Sequence, residues 1–523
     1  LALMAKSTEH IRKFAYVNEP EQKMLESARR PIVLLKKKND IDGIAPFLGE
    51  LGFMLAYTPL HYLLLEELDI IVATSSNKKD SPIMKDEEEG VFELCDYILT
   101  HNRPIHMRAD DSVMKIINRE PLFIRRARGY VPYPQKTHNS LHSTKHLLAL
   151  GGELKNTLSL YKNGYVITSQ FLGDLDEYQN YRYFEETLKH LKGLFKVDPE
   201  YVITDLHPDF HTTRYARNTG LPFIQVQHHF AHVLAPLLEH NYPQGKKALG
   251  VALDGFGYGD DGHAWGGEFL LFDYSDYLRF AHFQYVPMPG GDLASKQPWR
   301  MALSYLRDAF EDHLPDVRAF SGIPGNLIKG VTEMMDKNIN SPLSSSCGRL
   351  FDAVSFLSGI APREVEFEAE APMRFESAAE PECSDTYDFS INNTNLPYQI
   401  SFRETIRSLL EDVNNSIPVS AISAKFHNTL AKVILTTAIS ARTTYKIDTV
   451  VLGGGVFLNS FLLKTTIRLL ENNRFKVLRP VLYSPNDESI SLGQIAHALE
   501  IIRKDRVQGF EGSRREFDFN SSE

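Results

Sequence analysis

Three histidines stand close together in the segment VQHHFAH (226–232). If this segment is helical, His228 and His232 are four positions apart and project from one face of the helix. That spacing lets two imidazoles reach one metal ion, as in HExxH helices, although the residues between them differ here. The alternative is that the histidines line a polar surface or satisfy hydrogen bonds in the core. His229 points elsewhere, and we assign it as a candidate catalytic or substrate-contacting residue.

Two aspartates extend this pattern to a candidate ligand set. Asp254 ends the apolar stretch GVALD before a glycine turn, and Asp487 precedes a helix in SPNDESISLG. A buried carboxylate at a strand end needs an opposite charge or a metal, because burying it alone is costly. Two imidazoles and two carboxylates form a mixed nitrogen and oxygen set that suits Fe(II) or Zn(II). Either aspartate has the alternative of a turn former or helix cap, and for Asp487 alone that alternative comes first.

Three glycine-rich turns form the second chemical signal. Each follows an apolar strand: GGELKN (151–156), DGFGYGDDGHAWGGE (254–268) and GGGVFLN (453–459). Glycine lets backbone N–H groups come close to phosphate oxygens, and Lys155 adds a positive charge. The alternative for any one turn is a tight hairpin. The three together predict a nucleotide held between two lobes, and none matches the P-loop or the Rossmann fingerprint.

The elements that carry these residues alternate strands and helices, which predicts an α/β protein. Residues 1–134 form one α/β domain, a polar linker follows at 135–145, the main domain runs over 146–501, and 502–523 is a charged tail. Strand-to-glycine turns recur near residues 150, 254 and 453, which fits a duplicated α/β fold. Asn163 and Gly164 predict a type I′ hairpin turn.

The composition limits the function classes. A formal net charge of -10 argues against a protein that wraps nucleic acid, because neutralising phosphates needs clustered Lys and Arg. The three cysteines are far apart and form no zinc or disulfide framework, which indicates a reducing, cytoplasmic setting. No apolar run approaches the ~20 residues that span a bilayer, so no membrane partner is expected. The chain begins at Leu1, and we expect it to be a fragment of something longer.

From about residue 146 to 500 the chain resembles the carbamoyltransferase domain of the HypF family of [NiFe]-hydrogenase maturation proteins. The motifs that carry the resemblance are LALGGELKNT, DLHPDFHTTRYA, VQHHFAH, GVALDGFGYGDDGHAWGGEFLL, MPGGDLASKQPWRMAL, CGRLFDAVSFL, VVLGGGVFLN and PNDESISLGQ. Residues 1–134 resemble the second half of a YrdC-like domain through RPIVLLKK, AYTPLHYLLL, ATSSN, HNRPIHMRADDSV and FIRRARGYVP. The resemblance implies a partial YrdC-like α/β domain followed by a duplicated actin-like (ASKHA) nucleotide-binding fold.

The resemblance also implies an activity. Family members make carbamoyl-adenylate from carbamoyl phosphate and ATP, and pass the carbamoyl group to the C-terminal cysteine of HypE for cyanide ligand synthesis. The implied cofactors are ATP or AMP as carbamoyl-adenylate, Fe(II) or Zn(II), and Mg with ATP. Acylphosphatase, zinc-finger and early YrdC-like parts precede this point in the family and are not in the sequence, so we expect this chain to lack the steps before transfer.

The resemblance assigns roles to particular residues. The metal ligands fall on His228, His232, Asp254 and Asp487, and the nucleotide contacts fall on Lys155, Asn156, Gly255, Gly257, Arg349, Asp352, Gly454 and Asn459. His229 and Lys155 are the catalytic candidates. In ATSSN, Ser75 and Asn77 are ATP or carbonate contacts, with an ordinary polar turn as the alternative.

Two other functions stay open at this stage. One is threonylcarbamoyl transfer to tRNA by a relative with the same fold. The net charge and the residues in the motifs weigh against it. The other is a scaffold that docks HypE or nucleotide without turnover.

Overall fold

The structure is a computed structural model, and it describes residues 2–78, 81–85, 93–137, 141–311 and 313–508. Its contacts divide the chain into two units. Among the described residues, the first unit contains those up to Val226, Leu237–Gln244 and those from Pro480 to Gln508, and the second contains Gln227–Pro236 and Gly245–Arg479. Within the part that the structure describes, no helix combines the length and the apolar character needed to cross a membrane.

The first sheet has six strands in the order β4-β1-β3-β2-β5-β6. They are β1 (Ala2–Ala5), β2 (Ile32–Lys36), β3 (Glu50–Leu55), β4 (Ile70–Ala73), β5 (Val113–Ile117) and β6 (Glu120–Arg125). The helices around it are α1 (Thr8–Ile11), α2 (Glu19–Leu25) and α3 (Pro59–Glu67). Alternating apolar residues such as Leu3, Val33, Phe53 and Met114 are buried together and form its core. The α/β pattern predicted for this region is confirmed.

The second sheet, also in the first unit, has the order β12-β11-β8-β9-β10-β7. Its strands are β7 (Gln135–Lys136), β8 (Leu147–Ala149), β9 (Ser159–Lys162), β10 (Tyr165–Thr168), β11 (Tyr201–Asp205) and β12 (Phe223–Val226). Helices α4 (Tyr178–Phe195) and α5 (His211–Asn218) connect them, and α6 (His228–Glu239) follows β12. Strands β8 to β10 form an antiparallel meander, whereas β11 runs parallel to β8 and β12 parallel to β11.

The third sheet belongs to the second unit and repeats this topology. Its main order is β18-β19-β15-β14-β13-β20-β21, with β16 and β17 paired at its side. The strands are β13 (Ala248–Tyr258), β14 (Ala264–Phe272), β15 (Tyr277–Phe283), β16 (Val286–Pro287), β17 (Leu343–Ser344), β18 (Ser390–Asn392), β19 (Tyr398–Ser401), β20 (Thr449–Gly453) and β21 (Lys476–Leu478). Strands β13 to β15 form the meander, β20 runs parallel to β13, and β21 runs parallel to β20. The predicted duplicated, actin-like fold is therefore confirmed.

Helices complete both units. In the second unit they are α7 (Leu293–Lys296), α8 (Pro298–Phe310), α9 (Gly325–Asp336), α10 (Cys347–Leu357), α11 (Glu370–Ala378), α12 (Arg403–Asn414), α13 (Val419–Tyr445) and α14 (Ser460–Asn472). The last helix, α15 (Ile490–Gln508), packs against strands β8 to β12 in the first unit.

Local predictions fare differently. Asn163 and Gly164 have φ of 48° and 86°, as the predicted hairpin turn between β9 and β10 requires. Gln135–Lys136, which the sequence placed in a linker, instead form β7 because their backbone pairs with β10. Helix α15 continues to Gln508, past the boundary predicted at residue 501. Residues 138–140 of the linker and 509–523 of the tail lie outside the described residues.

Candidate functional site

The first turn of α6 brings two of the predicted metal ligands together. The helix begins at His228, and the Gln227 side-chain oxygen caps it by accepting the Phe230 N–H at 2.9 Å. His228 and His232, one turn apart, therefore share a face, as the i, i+4 spacing predicts. Their Nε2 atoms each lie 3.4 Å from Asp254 Oδ2.

Asp254 is oriented by the third glycine turn. Strands β13 and β20 are parallel neighbours, so the chain that leaves β20 passes beside Asp254. The Gly455 N–H donates to Asp254 Oδ1 at 3.1 Å, which leaves Oδ2 for the two histidines. Burial alone would raise the pKa of Asp254, but hydrogen bonds from His228 and His232 hold it well below its usual range. The carboxylate is therefore charged and directed at the imidazoles.

These three residues, hereafter the His/Asp set (His228, His232 and Asp254), fit a metal ion. Their ligand atoms lie within 4.8 Å of one another and all three residues are buried. Two imidazoles and one carboxylate suit Zn(II) or Fe(II) better than a soft ion. Asp487 belongs to the first unit, so its place as a fourth ligand stays a prediction. The helix cap, which was the alternative role for Asp487, is its neighbour Asn486, whose side-chain oxygen accepts the Glu488 N–H.

His229 follows His228 in α6 but is not one of the residues whose ligand atoms cluster in the His/Asp set. Its ring is fully buried, and Gln227 Nε2 lies 3.2 Å from its Nδ1. A Cβ added to Gly257 would lie 2.4 Å from His229 Cε1 and 2.7 Å from His228 Cδ2. Burial and the neighbouring His228 hold the pKa of His229 well below its usual range. Gly257 therefore makes room for the histidine cluster (His228, His229 and His232), and the catalytic role of His229 stays a prediction.

The second and third glycine turns lie close to each other in the second unit. Gly454 has φ of 98°, and a Cβ there would lie 2.2 Å from the Leu253 carbonyl oxygen of β13. The start of α10 approaches the same place, because a Cβ on Gly348 would lie 2.9 Å from Gly255 Cα. Ser346 caps α10 by accepting the Arg349 N–H, and its hydroxyl lies 2.7 Å from the Gly255 carbonyl oxygen. Backbone groups thus line this turn, as a nucleotide contact at Gly255 and Gly454 requires.

The polar side chains predicted to touch nucleotide are largely engaged with the protein. Arg349 Nε lies 2.8 Å from Asp352 Oδ2, and burial raises the pKa of Asp352 to about 6 although Arg349 opposes the shift. Asn459 caps α14 by accepting the Leu462 N–H at 2.9 Å, and its amide donates to His427 Nε2 at 2.8 Å. Each of these side chains helps to build the surroundings of the glycine turns, and their contact with nucleotide stays a prediction.

The first glycine turn lies in the first unit. Lys155 has φ of 43°, and its N–H donates to Asp174 Oδ1 at 2.7 Å. Asn156 is fully buried and donates to the carbonyl oxygens of Leu150 and Gly152 at 2.8 and 2.6 Å. Its amide therefore shapes the turn, whereas the nucleotide contacts assigned to Lys155 and Asn156 stay predictions.

Ser75 and Asn77 line a cavity of about 180 Å³ in the first unit. The Ser75 hydroxyl donates to the Asn77 side chain, which in turn donates to the Ser81 carbonyl oxygen at 2.9 Å. The same cavity is lined by Asp110 and Arg125, which the sequence does not single out as a pair and which form an ion pair at 3.3 Å. Burial raises the pKa of Asp110. The ATSSN turn thus faces a polar cavity, and its contact with ATP or carbonate stays a prediction.

Comparison with known families matches these regions one by one. Residues 1–127 match the Sua5/YciO/YrdC model, described as telomere recombination. Residues 142–239 match the HypF Kae1-like domain, and 250–494 match the second subdomain of the carbamoyltransferase, Kae1-like domain. The chain is thus a YrdC-like domain joined to a duplicated, Kae1-like transferase fold.

Individual relatives agree with this class. Carbamoyltransferase HypF of Synechocystis sp. is 38% identical over 95% of this chain, and the chain spans 66% of that relative's length. A carbamoyltransferase HypF homolog of Cupriavidus necator is 33% identical over 66% of this chain and 90% of its own length. A crystal structure of full-length HypF in the phosphate- and nucleotide-bound form superposes with a TM-score of 0.90 at 39% identity, over 96% of this chain and 79% of that one. The chain belongs to the HypF family of carbamoyltransferases.

Proposed function

We propose that this chain carries out the transfer step of the family: it passes a carbamoyl group from carbamoyl-adenylate to the C-terminal cysteine thiol of HypE. In that step the bond between the carbamoyl carbon and the AMP oxygen breaks, a carbon–sulfur bond forms, and the thiol proton is released. The observation that carries the proposal is the His/Asp set, since it lies beside the glycine turns in a chain of this family.

The residues of the second unit fit the requirements of such a step. His228, His232 and Asp254 would hold Fe(II) or Zn(II), and Asp487, which belongs to the first unit, stays a predicted ligand. When bound, such an ion supplies a Lewis acid for an acyl or phosphate oxygen. Backbone N–H groups of the glycine turns suit the developing negative charge, because they are fixed in place before the reaction. The thiol comes from the partner, so the buried Cys347 is not required.

Nucleotide binding is supported by the relative whose structure holds phosphate and nucleotide. We place the adenylate at the turns around Gly255 and Gly454 of the second unit, and the contact assigned to Lys155 stays a prediction. We place ATP, together with Mg, at the cavity of the first unit that Ser75 and Asn77 line. Adenylation of the carbamoyl phosphate-derived substrate is a step before transfer, and we do not assign it to this chain. The formal net charge of -10 supports a protein acceptor over tRNA.

The test supplies synthetic carbamoyl-adenylate to the purified, metal-loaded chain together with HypE. The expected result is a HypE product heavier by one carbamoyl group, located by mass spectrometry at its C-terminal cysteine. HypE with that cysteine changed to serine is the control, and it stays unmodified. In a parallel reaction, transfer of a threonylcarbamoyl group from threonylcarbamoyl-adenylate to tRNA would contradict the proposal. Binding of HypE without any product would contradict it as well.

A further inference from the structure

A buried ion pair joins strands β14 and β15 of the second unit, outside the His/Asp set. Arg279 Nε donates to Glu268 Oε2 at 2.7 Å, and Glu268 is fully buried. The Ser345 hydroxyl donates to the other oxygen of Glu268 at 2.6 Å. Replacing a buried ion pair with well-packed apolar residues is often neutral or stabilising. Stability alone therefore does not explain why charged residues stand here.

Arg279 covers one face of Trp265. The guanidinium carbon lies 3.7 Å from the centroid of the indole ring, which is the geometry of a cation–π contact. Asp261 holds both residues, because it accepts from Trp265 Nε1 at 2.8 Å and from Arg279 Nη1 at 3.2 Å. The Tyr285 hydroxyl links the same two residues, because it donates to Asp261 at 2.5 Å and accepts from Arg279 at 2.9 Å. The indole is thus fixed at its face and at its edge.

The same indole also packs toward the histidine cluster. Trp265 pairs with Gly257 across the β13–β14 ladder, and its ring centroid lies 6.1 Å from that of His229. A Cβ on Gly259 would lie 2.1 Å from Trp265 Nε1, and one on Gly257 would lie 2.4 Å from His229 Cε1. Each ring therefore packs directly against the backbone of a glycine, where no side chain would fit. A shift of the indole is passed on to His229, since close-packed interiors transmit strain.

His229 in turn contacts the two histidines of the His/Asp set. Its ring centroid lies 5.3 Å from that of His228 and 6.4 Å from that of His232. We infer that Arg279 is a positioning residue for the histidine cluster: it holds Trp265 against His229 and so fixes the orientation of the rings that face Asp254. This inference rests on the proposed role of the His/Asp set as metal ligands.

The test measures the affinity of the purified chain for Co2+, used as the probe ion. Arg279→Lys keeps a positive charge beside Glu268 but loses the planar guanidinium that covers the indole. We expect Co2+ affinity to fall about tenfold with unchanged stoichiometry, as is usual for residues that orient metal ligands. Arg442→Lys is the matched control, because Arg442 covers Phe475 at 3.4 Å in the same unit, and we expect no change in Co2+ affinity.

A double substitution separates positioning from a general loss of stability. If Arg279 acts through Trp265, Arg279→Lys has no further effect on Co2+ affinity in a Trp265→Leu background, whereas independent effects would add. Trp265→Phe provides a second variant if Arg279→Lys does not fold, and it too should bind Co2+ about tenfold more weakly. If Arg279→Lys binds Co2+ with wild-type affinity, or if the effects of the two substitutions on Co2+ affinity are fully additive, the inference is overturned while the metal proposal stands. Absence of Co2+ binding to the unaltered chain overturns the metal proposal, and the inference with it.

Discussion

An alanine at position 257 places a methyl group where two histidine rings already lie. The added Cβ would be 2.4 Å from His229 Cε1 and 2.7 Å from His228 Cδ2, against 3.4–4 Å for an ordinary contact. Both rings are buried and enclosed, so they cannot turn toward solvent to relieve the overlap. Overpacking of this kind costs about 1–3 kcal/mol of unfolding free energy. Since His228 belongs to the His/Asp set, Gly257→Ala is also expected to weaken metal binding about tenfold.

Gly255→Ala is the matched control for this change. It lies in the same turn, but a Cβ there meets nothing within 4 Å. Its unfolding free energy should therefore stay the same or rise by about 0.4–1 kcal/mol, whereas affinity for an ATP analogue should fall if the backbone at Gly255 contacts nucleotide. Calorimetry, Co2+ titration and ATP-analogue titration of both variants give the comparison. If Gly257→Ala matched Gly255→Ala in Tm and in Co2+ affinity, the steric reasoning would be refuted.

Three further results are expected. His228→Ala should release most of the bound metal while circular dichroism shows an intact fold. Unchanged metal content would mean that the histidines have a structural role instead. Asn459→Ala removes the cap of α14, which costs about 0.5–2 kcal/mol, and should lower ATP-analogue affinity of the folded protein; unaltered affinity would exclude this side chain from the nucleotide site. Burial lowers the pKa of His427 to about 4. The unfolded chain takes up this proton near pH 6.5, so the unfolding free energy of the wild type should fall by roughly 3 kcal/mol between pH 6.5 and 4. His427→Gln should not show this loss. If urea unfolding gave the same pH dependence for both proteins, the prediction would be contradicted.

The local part of the site is predictable from the sequence. The shared face of His228 and His232 follows from helical geometry alone, and α6 confirms the helix. The hairpin at Asn163 and Gly164 is equally local, because the turn type depends on the backbone freedom of two adjacent residues. Repeated strand-to-glycine turns likewise predict the duplication that the two sheets display.

The features of the site that the sequence does not reveal depend on contacts between residues that are far apart along the chain. Asp254 and Gly455 are 201 positions apart, so which carboxylate oxygen the turn occupies is decided only by the pairing of β13 with β20. Asn156 has the residue type of a ligand contact, yet its amide bonds to nearby carbonyl oxygens whose positions only the folded turn provides. Trp265 lies in the second glycine-rich turn, but its contact with Arg279 is built across the sheet and is not visible in any sequence motif.

The bond from the Gly455 N–H to Asp254 Oδ1 limits how this aspartate coordinates an ion. Oδ1 accepts from the backbone and Oδ2 faces both imidazoles, so Oδ2 is the atom that would be offered to an ion. A carboxylate that binds through one oxygen would occupy one coordination position and would leave another for an exchangeable oxygen ligand. Keeping an exchangeable position is what separates a reactive metal centre from a purely architectural one.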